Sequence, residues 1–235
     1  MDFQSNRFYH IISYGCQANM SDSEHYAGQL EELGYHHTED LDTADVILIN
    51  TCCVRETAED KTLGKIGELK HLKTQNPDLI IAVTGCMAQE WQDKLFKRAP
   101  HIDLVIGTHN IHKLIELIQE RRSKADHYMA ADMSLPAFHD MPVKRFQKFF
   151  AWIPIMNGCN KFCTYCIVPY VRGREVSRPI DAIVEEIKKV AAEGYKEITL
   201  LGQNVNSYGL DLKDGTDFSK LVAAMISTVS NGCAT

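Results

Sequence analysis

The 235-residue sequence predicts an α/β protein, in which a doubly wound parallel sheet is followed by an incomplete (β/α) barrel. The sheet is predicted by three segments in which a β-branched or aromatic run leads through a small-residue turn containing a cysteine into a helical pattern. These cysteines, Cys16, Cys52 and Cys86, lie 36 and 34 residues apart, which is about the length of a βαβ unit. The barrel is predicted to be incomplete because residues 151–235 hold two to three βα units at roughly 30 residues each.

The elements of the first part follow from hydrophobic periodicity and from end signals. We predict strands over 8–14, 46–50, 79–84 and 104–106. A helix over 21–33 is predicted by a capping box that begins at Ser21 and by Gly34 after its last residue. Further helices are predicted over 56–73, 88–98 and 111–121, and the first two end before Pro77 and Pro100.

The second part begins after residues 123–145, which lose the periodicity and contain Pro136 and Pro142. We therefore divide the chain into a first domain at 7–123, a linker at 124–144 and a second domain at 145–235. In the second domain we predict strands at 149–156 and 197–201, and a helix at 180–193 between Pro179 and Gly194. No strand signal follows near residue 235, so we expect that the chain is a fragment that stops inside this domain.

Composition excludes several classes of protein. The hydrophobic content of 45% and the charged content of 24% are typical of globular proteins. No run of eighteen apolar residues and no signal-peptide pattern occur, so we expect a cytoplasmic protein without a membrane partner. The net charge of −6 argues against non-specific nucleic-acid binding, but residues 144–178 carry seven basic residues against one acidic residue, Glu175. This stretch can guide an anionic substrate.

The cysteine pattern of the second domain predicts a metal centre. Cys159, Cys163 and Cys166 lie four and three residues apart on one short stretch, and no fourth thiol is near. Three thiolates suit a 4Fe-4S cluster that leaves one iron open to another molecule, since such clusters are normally held by four cysteines. The alternative is a zinc loop with a distant fourth ligand such as Cys233 or His139.

The three strand-end cysteines of the first domain predict a second centre. Parallel sheets gather the carboxyl ends of their strands at one edge, so Cys16, Cys52 and Cys86 can converge there on a second cluster. The alternative is three buried thiols, because free cysteine is among the most buried residue types. Cys53 follows Cys52 directly, and we expect its side chain to point elsewhere and to take no part.

Seven sequence motifs lie between about Phe8 and Leu212. They are Tyr14-Gly-Cys-Gln-Ala-Asn19, Asp22-Ser-Glu24, Asn50-Thr-Cys-Cys-Val-Arg-Glu56, Thr84-Gly-Cys86, Gly158-Cys-Asn-Lys-Phe-Cys-Thr-Tyr-Cys-Ile-Val-Pro-Tyr170, Arg172-Gly-Arg-Glu-Val-Ser-Arg178 and Leu201-Gly-Gln-Asn-Val-Asn-Ser-Tyr-Gly209. Together they resemble the methylthiotransferase family of radical S-adenosylmethionine (SAM) enzymes. Within that family, Gly-Cys-Gln at 15–17 favours the branch that modifies tRNA over the branch that modifies a ribosomal protein.

The resemblance implies a role for each cysteine set. Cys159, Cys163 and Cys166 are then ligands of the 4Fe-4S cluster that binds SAM, with Tyr165 near the adenine. Cys16, Cys52 and Cys86 are ligands of an auxiliary 4Fe-4S cluster that carries the sulfur to be inserted. Weaker expectations are SAM contacts from Gly202, Gln203 and Asn204, for which turn chemistry is the alternative, and from Arg174 and Arg178, which can also meet tRNA phosphate or lie in solvent.

The resemblance also implies the reaction, which is addition of a methylthio group to C2 of N6-isopentenyladenosine at position 37 of tRNA. The C2–H bond has no acidic proton, so acid–base catalysis cannot act on it and radical chemistry is required. The implied cofactors are two 4Fe-4S clusters and SAM; the implied partners are tRNA and a reducing electron donor, and we expect a monomer. Alternatives are threonylcarbamoyl-adenosine as the substrate, or a non-enzymatic iron–sulfur electron carrier or redox sensor. The family's RNA-binding domain is missing, so the short chain can be inactive alone.

Overall fold

The computed structural model describes residues 7–53, 56–134 and 141–232. The chain divides into two compact units, Met1–Lys144 and Arg145–Thr235. Within the described ranges, no helix has the length and apolar character needed to cross a membrane.

The first unit is built on a parallel sheet, and the described part of it has six strands. They are β1 (Arg7–Ser13), β2 (Tyr35–His37), β3 (Val46–Thr51), β4 (Ile80–Gly85), β5 (Leu104–Ile106) and β6 (Tyr128–Ala130), in the order β2-β1-β3-β4-β5-β6. Every pairing is parallel, which confirms the predicted parallel α/β sheet. The chain runs outward in opposite directions from β1 and β3, so the switch point at which doubly wound folds bind ligands lies between these strands.

Helices cover both faces of this sheet. They are α1 (Gln17–Glu32), α2 (Glu56–Glu68), α3 (Lys70–Gln75), α4 (Cys86–Trp91), α5 (Lys94–Arg98) and α6 (Leu114–Ser123), with single 3₁₀ turns at Leu41–Thr43 and Ile111–Lys113. On one face, Leu30 of α1 and Leu114 of α6 pack with Leu48 of β3. On the other face, Ile47 and Ile49 are fully buried on the strand that α2 and α4 contact. The strands are therefore apolar on both sides, as buried parallel strands are.

The capping box predicted at Ser21 is wrong. Helix α1 begins at Gln17, and Cys16 occupies the N-cap position. The helix can begin this early because Gly15 has φ of +132°, which turns the chain directly after β1. Ser21 and Glu24 are buried in the second turn of the helix instead of marking its start. The predicted end is confirmed, since Leu33 is the C-cap and Gly34 follows with φ of +79°.

Two other predicted helices are interrupted. The helix expected over 56–73 is divided at Leu69, between α2 and α3. The helix expected over 88–98 is divided at Gln92, whose φ of 47° cannot belong to a right-handed helix. Composition did not reveal either break, because both segments keep good helix-forming residues around the interruption.

The stretch predicted as a linker contributes to the first unit. Strand β6 lies inside 124–144 and pairs with β5, and the backbone N–H of Lys144 donates to the carbonyl oxygen of Glu24 at 2.9 Å. Strands β2 and β6 were not predicted, because they lack the aliphatic run that reveals β5, which is equally short. Pro136 lies outside the described residues.

The second unit carries one βαβ element, as a partial barrel requires. Its elements are β7 (Phe150–Pro154), β8 (Met156–Asn157), α7 (Val168–Val171), β9 (Val176–Ser177), α8 (Ile180–Ala192), β10 (Glu197–Leu201), a 3₁₀ turn at Val205–Ser207 and α9 (Phe218–Gly232). Strands β7 and β10 pair in parallel, and β8 pairs with β9 in antiparallel fashion. Ile153, Ile183, Ile187 and Leu221 form the centre of the core. Helix α9 was not predicted.

Candidate metal centres

The three strand-end cysteines of the first unit lie at one edge of the sheet, as the topology predicts. Ser13 of β1 pairs with Asn50 of β3, and Asn50 pairs with Thr84 of β4. Cys16 comes three residues after Ser13, and Cys52 and Cys86 come two residues after Asn50 and Thr84. The three cysteines therefore follow the carboxyl ends of three neighbouring strands, beside the switch point between β1 and β3.

Two glycines allow the chain to come close at this edge. A Cβ atom on Gly15 would lie 2.7 Å from the Cβ of Cys52, and a Cβ on Gly85 would collide with the side chain of Asn50. Both residues also have positive φ, which side chains with a Cβ rarely adopt. The turn before Cys16 and the turn before Cys86 are therefore pressed against β3 and its continuation.

A buried pair of amides fixes the turns beneath these thiols. Asn19 donates through Nδ2 to Oδ1 of Asn50 at 3.1 Å and to the carbonyl oxygen of Thr51 at 3.0 Å. Asn50 donates through Nδ2 to the carbonyl oxygen of Asn19 at 2.7 Å and to Oγ of Ser23 at 2.9 Å. The Cys16 thiol donates to Oδ1 of Asn19 at 3.4 Å. This network ties α1 to β3 and was missed by the sequence reasoning, although an asparagine inside the aliphatic strand β3 was a visible signal.

The expectation that Cys53 points away from the site is wrong. Cys53 hydrogen-bonds Cys86, and both side chains are buried, with 8% and 7% of their surface exposed. The hydrogen bond to Cys86 and burial raise the pKa of the Cys53 thiol far above its ordinary value, and the neighbouring Cys52 and Glu59 act in the same direction. A fourth thiol therefore adjoins this edge.

The donor chemistry limits which kind of centre these residues fit. A 4Fe-4S cluster binds each cysteine through a different iron, whereas a single zinc ion gathers its thiolates at about 2.3 Å. Sulfur-only donor sets suit iron–sulfur clusters and zinc alike, so the two cysteine sets have the donors that a cluster needs.

In the second unit, the cysteine loop runs from β8 to α7 and is fastened at its beginning. The backbone N–H of Cys159 donates to the carbonyl oxygen of Gly173 at 3.1 Å, and the N–H of Gly158 donates to Oε1 of Gln203 at 2.6 Å. A Cβ on Gly158 would collide with the backbone of Arg174. The first ligand position is thus fixed by two other segments of the unit.

The rest of the loop is open. Cys159 is buried, Cys166 is half-buried and Cys163 is exposed. The N–H of Cys166 closes a tight turn onto the carbonyl oxygen of Cys163 at 2.9 Å, and Tyr165 is 95% exposed. The exposed part of the loop, from Cys163 to Tyr165, is thus accessible to a small molecule. The fourth zinc ligands considered above, Cys233 and His139, lie outside the described residues.

The weaker candidate residues all have structural contacts. Gln203 holds Gly158, as described above, while Gly202 lies against Met156, where a Cβ would be 2.6 Å from its Cγ. Asn204 donates to Oγ of Ser207 at 2.5 Å and to Oε1 of Glu175 at 3.4 Å. These contacts place all three residues beside the loop, and their roles toward a cofactor stay predictions.

The two candidate arginines differ. Arg174 is exposed and places its guanidinium 4.4 Å from the ring centre of Phe162, which has φ of 47° in the cysteine loop. Arg178 instead pairs with Glu186 at 2.7 Å and donates to the carbonyl oxygen of Pro154 at 2.7 Å. Arg174 remains able to reach a ligand, whereas the described contacts of Arg178 fasten α8 to β7.

Part of the positive charge around the loop is neutralised locally. Glu186 also pairs with Arg145 at 2.7 Å, so one carboxylate holds two of the seven basic residues of the 144–178 stretch. Lys148, Lys161 and Arg174 are exposed. The positive field is therefore weaker than the residue count indicates, and at the loop it comes from Lys161 and Arg174.

Comparison with known proteins agrees with this architecture. The profile described as "Uncharacterized protein family UPF0004" matches residues 8–107, and the radical SAM superfamily matches residues 153–231. The matched ranges include the three strand-end cysteines and the cysteine loop, respectively. The chain thus carries a UPF0004 domain followed by a radical SAM domain, and the latter supports an iron–sulfur cluster and SAM as cofactors.

Curated relatives define the family more closely. The tRNA-2-methylthio-N(6)-dimethylallyladenosine synthase of Thermoanaerobacter sp. (strain X514) is 50% identical over 220 residues, which are 92% of this chain and 47% of the relative. The protein with that name from Staphylococcus aureus (strain Newman) is 51% identical over 213 residues, which are 89% of this chain and 41% of the relative. Over about nine-tenths of its length the chain is thus similar to tRNA methylthiotransferases, and it spans about half the length of these relatives.

Solved structures support the fold. The radical SAM methyltransferase TsrM from Kitasatospora setae, with tryptophan and a SAM analogue bound, matches with a TM-score of 0.54 at 15% identity, over 86% of this chain and 48% of that one. The same enzyme with cobalamin and a [4Fe-4S] cluster matches with a TM-score of 0.55 over 96% of this chain and 52% of that one. At this identity the likeness concerns the fold alone.

Proposed function

We propose that this chain is the cluster-binding part of a tRNA methylthiotransferase. The reaction is addition of a methylthio group to C2 of N6-dimethylallyladenosine, also called N6-isopentenyladenosine, at position 37 of tRNA. One observation carries the proposal: the chain brings Cys16, Cys52 and Cys86 to one sheet edge and also carries the loop of Cys159, Cys163 and Cys166. The names of relatives that are about 50% identical support the substrate.

Each cysteine set is proposed to hold one 4Fe-4S cluster, so that the protein has two. When bound, the clusters and SAM supply the radical and the sulfur that an unactivated C–H bond requires. The chain's own part is ligation and positioning. Asn19 and Asn50 fix the turns that carry Cys16 and Cys52, as Gln203 fixes the start of the cysteine loop.

Binding of SAM is proposed on the open side of the cysteine loop. Tyr165 offers an exposed aromatic face on which an adenine can stack. Arg174 offers an exposed guanidinium that can pair with a carboxylate, while Gly202, Gln203 and Asn204 lie beside the loop through their contacts with Met156, Gly158 and Glu175.

The proposed partners follow from this chemistry. Exposed Lys161 and Arg174 can meet the phosphates of a tRNA near the loop. A reducing electron donor is required, because SAM is cleaved reductively in this family. A tRNA substrate also favours a cytoplasmic location, and we propose that the protein acts as a monomer.

The test uses the complete protein that carries this chain, reconstituted anaerobically with iron and sulfide. It is incubated with SAM, a reductant and tRNA containing N6-isopentenyladenosine, and the nucleosides are analysed by mass spectrometry. We expect a gain of one methylthio group, and no gain with Cys159→Ala. A parallel reaction with tRNA that carries threonylcarbamoyl-adenosine separates the two substrates. If neither nucleoside changes and no 5′-deoxyadenosine forms, the chain is an electron carrier or redox sensor instead.

A further inference from the structure

A second kind of metal-ligand set lies on the first unit, on residues that neither cysteine set uses. His10 lies on β1, His37 ends β2, and Glu39 follows in the next turn. One ligand atom from each of these residues lies within 4.8 Å of the other two. Among the described histidines, cysteines and carboxylates, this group is the only one that meets this condition.

The backbone brings these side chains together at the sheet margin. Tyr9 of β1 pairs with His37 of β2, and the N–H of Thr38 donates to the carbonyl oxygen of Tyr9 at 2.9 Å, which extends the ladder by one bond. The chain then turns at 38–40, where Oδ1 of Asp40 accepts the N–H of Asp42 at 3.0 Å. The turn directs Glu39 back toward the histidines.

The hydrogen bond of His10 defines which of its nitrogens can bind a metal. Its Nδ1 lies 2.7 Å from the carbonyl oxygen of Thr38. A carbonyl oxygen only accepts, so Nδ1 carries the proton and the neutral ring has its lone pair on Nε2. Metal-binding histidines characteristically donate their second nitrogen to a carbonyl or carboxylate, which fixes the tautomer and the ring orientation. His10 has this arrangement already.

The other two ligands are near and adjustable. The ring of His37 stacks on that of His10, with centres 6.0 Å apart and planes at 23°, and meets Tyr9 edge-on at 5.5 Å. Nε2 of His37 lies 3.9 Å from Oε1 of Glu39. The Glu39 side chain is 88% exposed and that of His37 is 43% exposed, so both can rotate without disturbing the core.

We propose that His10, His37 and Glu39 bind one divalent transition-metal ion of the zinc class. Imidazole suits zinc and its neighbours, and two histidines with one glutamate form a known three-ligand set with an open fourth position for water. Ligands at about 2.0–2.2 Å from one ion are about 3.4 Å apart, so the exposed side chains need to close only slightly. This proposal does not rest on the proposed function.

The ion would fasten the turn at 38–40 to the neighbouring strand. Without it, the described contacts of this turn include the Thr38 bond to His10 and the short-range bonds around Asp40 and Thr43. A metal that links Glu39 to β1 adds a crosslink present only in the folded chain, so it raises the unfolding temperature by mass action. The expected role is stabilisation of the sheet margin.

Zinc titration of the full chain tests the proposal, using reconstituted protein so that the cysteines are occupied, and repeated without reconstitution. We expect wild type to bind one more zinc ion per chain than His37→Gln and than His10→Gln. Glu39→Gln should bind this ion at least about tenfold more weakly. The matched control is His36→Gln, because His36 is also exposed and adjoins His37 but is not in the group. It should bind zinc as wild type does.

Thermal unfolding supplies an independent readout. In EDTA, the variants should unfold at the wild-type temperature, which shows that they fold. Zinc should then raise the unfolding temperature of wild type and of His36→Gln, and should not raise that of His37→Gln. Equal zinc counts in wild type and His37→Gln, or an equal loss in His36→Gln, would overturn the proposal. Because the comparison is made with and without clusters, failure of the cluster assignment does not change its result.

Discussion

The two cysteine sets are positioned by opposite strategies. Cys16, Cys52 and Cys86 are spread over 70 residues and meet only because three parallel strands end at one level. Cys159, Cys163 and Cys166 lie on one loop of eight residues and need only an anchor at its beginning. The first set therefore depends on the whole sheet, and the second depends on local chain geometry.

Burial follows this division only in part. At the sheet edge Cys52 and Cys86 are buried and Cys16 is exposed, whereas on the loop Cys159 is buried and Cys163 and Tyr165 face solvent. A centre at the sheet edge is held by groups that the core fixes. A centre at the loop is open to a diffusing molecule, which is what a SAM-binding site requires.

The largest expected effect separates the two sets by iron content. After anaerobic reconstitution, wild type should hold about eight irons, and replacing either set of three cysteines with alanine should leave about four. Only loss of Cys159, Cys163 and Cys166 should also abolish formation of 5′-deoxyadenosine from SAM, because that loop is the proposed SAM site. Iron and labile sulfide analysis, with chromatography of the SAM products, measures both.

Cys53→Ser is the matched control for this experiment. The serine keeps a small polar side chain beside Cys86, and it should leave the iron content at about eight, since Cys53 is not among the proposed ligands. A fall to about four in this variant would make Cys53 a ligand. If wild type holds only about four irons, and none after loss of the loop cysteines, Cys16, Cys52 and Cys86 are core residues. Zinc in place of iron would contradict both cluster assignments.

A smaller effect should distinguish the buried hydrogen bonds beneath the sheet-edge cysteines from the exposed hydrogen bonds of the cysteine loop. Asn50→Ala leaves the buried Asn19 amide and the Ser23 hydroxyl short of a partner, so we expect a loss of about 2–3 kcal/mol in the free energy of unfolding of the first unit. Asn160→Ala is the control in the second unit, because Asn160 also makes two bonds, both to Glu175, but is exposed. Its loss should be below about 1 kcal/mol. Urea unfolding measures both, and equal losses would contradict the distinction.

The smallest effect concerns alkaline stability of the second unit. Burial raises the pKa of Tyr208 to about 12 from its ordinary value of 10.0. The folded state thus retains this proton where the unfolded state releases it. The protonated Tyr208 hydroxyl makes its full contribution to the free energy of unfolding below pH 10. This contribution, on the order of 2 kcal/mol, is lost as the pH rises from 10 to 12.

Tyr208→Phe should remove this dependence. Urea unfolding between pH 9 and pH 12 should give a flatter profile for the second unit of the variant. At neutral pH the variant should lose about 1 kcal/mol, because the Tyr208 hydroxyl donates to the carbonyl oxygen of Arg178 at 2.7 Å. An unchanged alkaline slope in the variant would mean that another group causes it.

Much of the fold could be predicted because its signals are regular. Strands β5 and β10 were predicted at the residues where they occur, and β3 and β4 within one residue, since buried parallel strands are continuous aliphatic runs. The start of α1 was predicted wrongly because Ser21 and Glu24 fit a capping box, whereas their positions inside the helix are decided by tertiary packing. Local patterns do not contain that information.

The positions of the cysteines could be predicted from the sequence, but the side-chain contacts around them could not, because local patterns do not contain tertiary packing. The cysteine loop is visible from spacing alone, and the meeting of Cys16, Cys52 and Cys86 at one edge follows from strand topology. The Asn19–Asn50 pair and the Cys53–Cys86 contact could not be predicted, because each joins residues more than 30 positions apart through side-chain packing. Whether the six cysteines bind two clusters stays a prediction that the iron analysis decides.

The parallel pairing of β1, β3 and β4 also has a consequence for biogenesis. Contacts between residues far apart in the chain form late, since the intervening segments must first be closed into loops. The thiols of the cysteine loop are together as soon as that short stretch leaves the ribosome. Those at the sheet edge are together only after three strands and their crossover helices have assembled. Maturation of the two centres is therefore expected to be uncoupled in time, with insertion at the sheet edge waiting for a folded first unit.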